Sequence, residues 1–451
     1  MLPARPAAAS RLPWGRPRHE LLLLVLVALA TLTPIYVVST QDVSRLCLTR
    51  ALLHGHLTIQ PCAGNTIDQA SYGGHNYTDK APGLSLLAVP ATVITRLPPP
   101  SRWVSEGDFH LWAVRLLVSG VAFLLLVFAV GRISEGISPG NGGAALVTFA
   151  VGTLVGSLAA SSFGHVLAAA LAFGGFVSAW SRRFALSGLL AGTAALTDYT
   201  TAVLGVTIAV YVLLAGTRPL LRYAAGAVPP LALLAAYDWA AFGSPFHLSY
   251  RYVANTYSSE QQSGFFGIHA PTSHGLHLVL VGDRGILVAS PVVVAAAAGL
   301  VLLGRRHRRE AILCAVAFLL LLLTNVGYFN PYGGISPGPR FLIAGLPFLA
   351  LGLGPAFERW RRATSVLATV SIVAMMTLLL TWSNIQDFHY RDTVWGELLR
   401  LLDERGSSRL VQLLTKNVVV TGPITRLYAA AMVSVIAFAA FAVAIRDTRD
   451  A

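Results

Sequence analysis

The chain has 451 residues, of which 55% are hydrophobic and only 12% charged, and its formal charge is +13. A soluble globular domain carries about 25% charged residues, so this composition excludes one and describes a polytopic membrane protein. The arginines stand in short clusters between apolar runs, with no basic stripe of interleaved aromatics, which excludes a nucleic-acid-binding surface.

A membrane helix needs about 20 apolar residues, with about 17 to 25 the usual range. Apolar runs cover 21–39, 110–131, 143–160, 165–180, 184–197, 200–216, 221–242, 286–304, 311–328, 341–357, 364–382 and 424–445. They predict an all-α bundle of about twelve transmembrane helices, forming a single membrane domain over 1–451. Arg5, Arg11, Arg16 and Arg18 precede the first run and put the 1–20 tail in the cytoplasm. No small-x-small cleavage site follows before Gln41, so the run reads as a retained span rather than a signal peptide. Alternation then assigns Arg132, Arg182, Arg183, Arg218, Arg222, the RRHRR run at 305–309, Arg359 and Arg446 to the inside. The outer turns 161–165 and 198–199 hold no arginine. A crossing by the apolar segment 84–97 would invert this pattern, and the segment is short, so it reads as a helix lying at the outer interface. The outer face thus collects the loops 40–109, 243–285, 329–340 and 383–423, and long loops are where function concentrates.

In the first of these loops, QDVSRLCLTRALLHG (41–55) has apolar residues at helical spacing, with Asp42 in its first turn, where an acid also serves as a cap. Cys47 and Cys62 flank a polar segment on the side where a disulfide is permitted, but spacing alone leaves their pairing open. Cys314 reads as a small core residue. Further on, SYGGHNYTDKAPGLSLLAVP (71–90) sets Asp79 beside Lys80 at the mouth of the interfacial run. The chain has only one other lysine, Lys416, so a compact ammonium is singled out here. Lysine binds phosphate as a point charge, although an interfacial lysine also snorkels to headgroups. Arg284 in GDRGILVASP (282–291) and Arg340 at the end of GGISPGPR (333–340) bring two more cations to the same face. Either alone matches a snorkelling boundary arginine; together with Lys80 they suit a lipid-linked phosphate.

The order of these pieces resembles the GT-C superfold of polyprenol-dependent glycosyltransferases, in particular the protein O-mannosyltransferase and aminoarabinose-transferase branch. The family pattern is an acid soon after the first span, a Tyr-x-(Asp/Glu)-Lys-x-Pro stretch, and then a surface helix. This sequence supplies Asp42, the stretch Tyr77-Thr78-Asp79-Lys80-Ala81-Pro82, and the run 84–97. AYDWAAFGSPFHLSY (236–250), GDRGILVASPVV (282–293) and GGISPGPRFLIAGLPFLAL (333–351) are similar to bacterial members, so the resemblance covers about 21–351. Departures are Gln41 where members commonly have a second acid, Ala81 and Gly83 around a lone Pro82, and no large outer domain after the last span.

The resemblance implies transfer of a sugar from a polyprenyl-phosphate donor to an extracytoplasmic acceptor (a cell-envelope glycan, lipid or protein), with inversion, in a bacterial plasma membrane. It implies Asp42 as the base that takes the acceptor's proton and Lys80 at the departing phosphate, supported by Arg340 and Arg284. Asp79, placed with Asp42 among the catalytic candidates, either orients Lys80 and holds it charged or contacts the sugar or a metal. Tyr77, His165, Asp198 and Tyr250 are candidates for contacting substrate. Some members use a divalent ion, but His54, His56 and His75 show no zinc spacing and no dedicated cage is evident. Two other classes fit the hydropathy: a transporter or flippase, which would show internal repeats and mid-membrane charges, and a noncatalytic polyprenyl-lipid-binding relative.

Overall fold

The apolar runs fold as helices, several of which stop at a glycine, as at Gly152, Gly243 and Gly304. The computed structural model describes residues 17–32, 38–104, 108–334, 336–382, 393–396, 436–442 and 444–445. Most of the expected last outer loop 383–423 and last span 424–445 therefore lies outside the described residues. The principal helices are α1 (Pro17–Thr31), α2 (Thr40–Leu53), α3 (Gly83–Thr95), α4 (Phe109–Ile137), α5 (Gly142–Val151), α6 (Gly164–Trp180) and α7 (Phe184–Thr197). They continue with α8 (Tyr199–Leu213), α9 (Thr217–Phe242), α10 (Ser273–Val281), α11 (Val292–Leu303), α12 (Arg308–Gly327) and α13 (Arg361–Trp382). One antiparallel hairpin, β1 (Gln69–Tyr72) and β2 (His75–Thr78), stands among them.

The expected count of about twelve spans is not reproduced. Among the described residues, four helices are long and apolar enough to cross a membrane: α4, α9, α12 and the Arg361–Leu379 part of α13. A fifth crossing exists if Ser273–Ala289 and Val292–Leu303 count together, bent by 88°. Three predicted spans break internally. The 143–160 run parts at Gly152, the 286–304 run at Ser290-Pro291, and the 341–357 run into Leu346–Ala350 and Leu353–Arg359. The other apolar helices include a set of 10 to 17 residues and several shorter pieces. At about 1.5 Å per residue these fall short of a hydrocarbon core of about 30 Å. Composition counts apolar residues but does not see a break in the hydrogen-bond ladder.

The segment expected at the interface does form α3, whose 13 residues are too few to span. It leaves Val93 and Ile94 exposed and packs Gly83 against the end of α7, where a Cβ would meet the Leu196 carbonyl oxygen at 2.6 Å. α7 and α9 approach equally closely: a Cβ on Gly188 would lie 1.8 Å from the Tyr223 carbonyl oxygen. Such small-residue contacts let helix backbones touch where no hydrophobic effect drives association.

Two apolar clusters organise the molecule. The larger fills the space between α1, α4 to α8 and α11 to α13. The smaller joins α2, α3, Trp103, the start of α4 and the last turn of α9, with Tyr237, Ala241 and Phe242, and fastens the first loop onto the bundle. Cys47 and Cys62 are bonded, which closes the alternative left open by spacing. The bridge ties α2 to the turn at Gln60, whose side-chain oxygen accepts from the Asn76 amide at 2.8 Å and so steadies the hairpin. Cys62→Ser is expected to remove about 3 kcal/mol, the chain-entropy value for a loop of about 15 residues. A thermal denaturation midpoint equal to wild type under non-reducing conditions would count against that.

Candidate active site

Five segments and the start of α2 meet in one cluster: the hairpin with its flanks, the 161–165 turn, 198–200, 249–250 and the loop that ends at Arg340. The capping box of α2 builds the floor. Ser39 is the N-cap, and Asp42 at N3 accepts from the Ser39 amide at 2.9 Å and its hydroxyl at 2.6 Å. The same carboxylate accepts from Arg115 Nε at 3.1 Å and Nη2 at 2.7 Å, and from the Ser162 amide at 2.9 Å. Burial opposes its ionisation, but Arg115 and Ser39 hold its pKa below the usual carboxylate value. Asp42 therefore knots together α2, α4 and the 161–165 turn.

The hairpin supplies the walls. Gly73 and Gly74 turn with φ of 59° and 79°, and the register pairs Gln69 with Thr78. That pairing brings Asp68, just before β1, alongside Asp79 and Lys80, just after β2. Lys80 Nζ lies 2.8 Å from Asp68 Oδ1 and 2.9 Å from Asp79 Oδ2, and Thr40 donates to Asp68 at 2.5 Å. Burial works against the ammonium, yet the two carboxylates hold Lys80 protonated, well above its ordinary pKa. Asp68 is lowered despite burial, by Lys80 first. Asp79 goes the other way: burial raises it to about 6 against the pull of Lys80, and Asp68 adds to the rise. Its Oδ1 is buried with no hydrogen-bond partner.

Two arginines complete the cluster. Arg45, one turn along α2 from Asp42, donates to the Ala81 carbonyl at 3.2 Å and lies in the field of Asp198, Tyr250, Asp79 and Asp68. Arg340 stacks 5.1 Å from the centre of the Phe163 ring, and with the Gln41 amide turned so that its oxygen faces the guanidinium, both terminal nitrogens donate to that oxygen at 3.1 and 3.2 Å. The Nε atoms of Arg45 and Arg340 are buried without a partner. His165 Nδ1 pairs with Asp198 Oδ2 at 2.5 Å. Ser249 donates to the Asp79 carbonyl at 2.7 Å, and Tyr250 beside it packs edge-on to Tyr199 at 5.2 Å. Among the described residues, no group of three or more His, Cys, Asp or Glu side chains is placed to hold a metal ion.

No protein-family model and no curated protein matches the chain. Among solved structures, ArnT from Cupriavidus metallidurans in the apo state is similar, with a TM-score of 0.52 and 15% identity over 96% of this chain and 76% of that one. The same protein bound to undecaprenyl phosphate gives a TM-score of 0.54 and 14% identity, over 96% and 77%. This chain has the GT-C fold. At these identities the likeness is one of fold, and residue roles rest on the geometry above.

Of the residues singled out in the sequence, Asp79, Lys80, Arg340, His165, Asp198 and Tyr250 lie in one cluster. Three other candidates are placed differently. Asp42 has five donors on two buried oxygens, leaving little basicity and no open lone pair for an acceptor's proton. Asp42→Asn would cancel the charge facing Arg115, and the loss of one member of a buried pair costs about 3–5 kcal/mol. Thermal denaturation of the detergent-solubilised variant should show that loss, and an unchanged midpoint would contradict the structural role. Tyr77 is core, its ring 5.2 Å from Phe242, because alternation along β2 turns it toward α9. Arg284 donates to the Ser336 carbonyl at 2.8 Å and stacks 4.4 Å over Tyr332, bracing the loop that leads to Arg340.

Sequence reasoning missed Asp68 and Arg45. The Gly-Gly between Tyr72 and His75 was the available signal for a hairpin, and hence for an acid opposite Asp79. Arg45 carries no local signal beyond its place on the buried face of α2.

Proposed function

We propose that this protein is an integral-membrane glycosyltransferase that takes a sugar from a polyprenyl-phosphate donor on the extracytoplasmic side and passes it to a hydroxyl-bearing acceptor. The observation that carries this reading is the set of unsatisfied cationic nitrogens. Arg45 Nε and Arg340 Nε are buried without partners, and both arginines lie in the field of Asp68 and Tyr250, as the Lys80 ammonium does. Buried donors left unpaired point to a missing acceptor, and a phosphate at the membrane surface is the acceptor that such cations suit. The GT-C fold and the undecaprenyl phosphate bound by ArnT support the lipid form of that phosphate.

In this reading Lys80, Arg340 and Arg45 hold the donor phosphate, and the polyprenyl tail lies along the apolar surface. The acceptor oxygen bonds to the anomeric carbon as the bond from that carbon to the phosphate oxygen breaks, inverting the centre. Asp79, rather than Asp42, takes the hydroxyl proton, because its Oδ1 is uncommitted and its pKa of about 6 lies near working pH. The phosphate leaves with one more negative charge, and neutralising Asp79 leaves the three cations facing one fewer carboxylate. Charge stabilisation and proton removal thus reinforce each other. Asp68 keeps Lys80 in place, and Asp42 positions the 161–165 turn.

Reconstituting the purified chain in liposomes with polyprenyl-phosphate sugars and scoring release of polyprenyl phosphate tests the reading. Saturable binding of polyprenyl phosphate with sugar transfer to a hydroxyl acceptor is expected. Movement of intact lipid between leaflets without breaking the sugar bond would establish a flippase instead.

A further inference from the structure

His165 is held on one side only. Its Nδ1 meets Asp198 Oδ2 at 2.5 Å, while Nε2 is buried with no hydrogen-bond partner. Asp198 is itself fixed, its Oδ1 accepting from the Thr200 amide at 3.1 Å and hydroxyl at 2.8 Å. A carboxylate on one ring nitrogen sets the tautomer and orientation and reserves the other nitrogen for a ligand. A fully orphaned buried ring nitrogen asks for an explanation.

The neighbours of His165 say where that nitrogen works. A Cβ on Gly164 would meet Arg45 Nη2 at 3.0 Å, so the turn runs directly under one arginine. Phe163 carries the Arg340 guanidinium over its ring, and Phe341, next to Arg340, stands edge-on to the imidazole at 5.4 Å. His165 thus lies close enough to both arginines with unsatisfied Nε atoms to feel their charge. Burial disfavours an imidazolium here, and three charges bear on the ring besides: Asp198 favours the imidazolium, whereas Arg340 and Arg45 oppose it. An arriving phosphate would neutralise the two arginines and strengthen the hand of Asp198.

We propose that His165 is a fourth nitrogen arm of the phosphate site, beside Lys80, Arg340 and Arg45, its Nε2 donating to a phosphate monoester dianion once the imidazole has taken up a proton. The proposal rests on the phosphate-site reading above. It adds a discrimination: a sugar-bearing polyprenyl phosphate is a diester with one charge, whereas the departing polyprenyl phosphate is a monoester that reaches two. The arm therefore acts as the bond to the sugar breaks. The proton comes from solvent and returns there when the lipid leaves.

The test is calorimetric binding of a short-chain polyprenyl phosphate and its methyl ester to the full-length protein in detergent, between about pH 6 and 8, in buffers of different ionisation enthalpy. Wild type is expected to take up more protons with the monoester than His165→Gln does, and the variant should bind it about tenfold more weakly. The methyl ester should bind both proteins alike. Asp198→Asn, which keeps the ring, should lose the same extra proton uptake. Wild-type affinity and proton count in His165→Gln, or equal weakening for both ligands, would overturn the proposal. Failure of wild type to bind either ligand, or undiminished binding of both by Lys80→Ala, would instead remove the phosphate site, and this arm with it.

Discussion

Asp79→Asn is expected to transfer sugar about 10²–10⁴-fold more slowly than wild type, the usual contribution of a positioned general base. Asparagine preserves the shape and still accepts from Lys80, so donor binding should change little. The pH profile gives the sharper reading. Asp79 titrates at about 6, and only the carboxylate can take a proton. The wild-type rate should therefore climb through about pH 6 and level off above it, and the Asp79→Asn enzyme should lack that climb. Single-turnover transfer measured from about pH 5 to 8 checks both points. Near-wild-type transfer by the variant would return the base to another residue, whereas a lost rate with an intact acid limb would move the titrating group elsewhere.

Lys80→Ala should damage binding and chemistry together. Lys80 is the only described lysine in the cluster and is bound to Asp68 and Asp79 at 2.8 and 2.9 Å. A charge-assisted hydrogen bond is worth about 1.5–3 kcal/mol, so polyprenyl-phosphate affinity should fall on the order of 10- to 100-fold. The ammonium also lowers the pKa of Asp79. Without it the carboxylate is harder to ionise, and the midpoint of the residual pH profile should move to higher pH. A simple loss of lipid contact would weaken binding with no such shift. Calorimetry and a pH–rate series on one preparation separate the two, and an unmoved midpoint with wild-type affinity would refute the assigned role.

The first outer loop shows where sequence suffices and where it does not. Asp79 and Lys80 are neighbours in the chain, so their pairing was legible, as was α2 from its apolar spacing and α3 from its length. Asp68 joins them only because β1 pairs with β2 in one register, and a one-residue slip would turn it away. Asp42 was singled out for the correct reason, an acid at the start of α2, but its partner Arg115 lies 73 residues further on. No local pattern announces that ion pair, and it converts a candidate base into a fastening. The count of about twelve spans is not confirmed among the described residues, for a related reason. Gly152 and Pro291 interrupt helices inside continuous apolar runs, and hydropathy is blind to such breaks.

What the sequence determined by itself is the medium and the chemical inventory: a charge content too low for water, arginine clusters between apolar runs, and an acid–lysine pair beside an interfacial helix. The tertiary structure alone decided which of those charges are spent on one another. Asp42 and Arg115 cancel, while Arg45, Arg340, Asp79 and His165 each keep a buried polar atom uncommitted. Reactivity depends on such residual valence. It is set by the distances between loops far apart in the chain, and those distances exist only after the helices have packed.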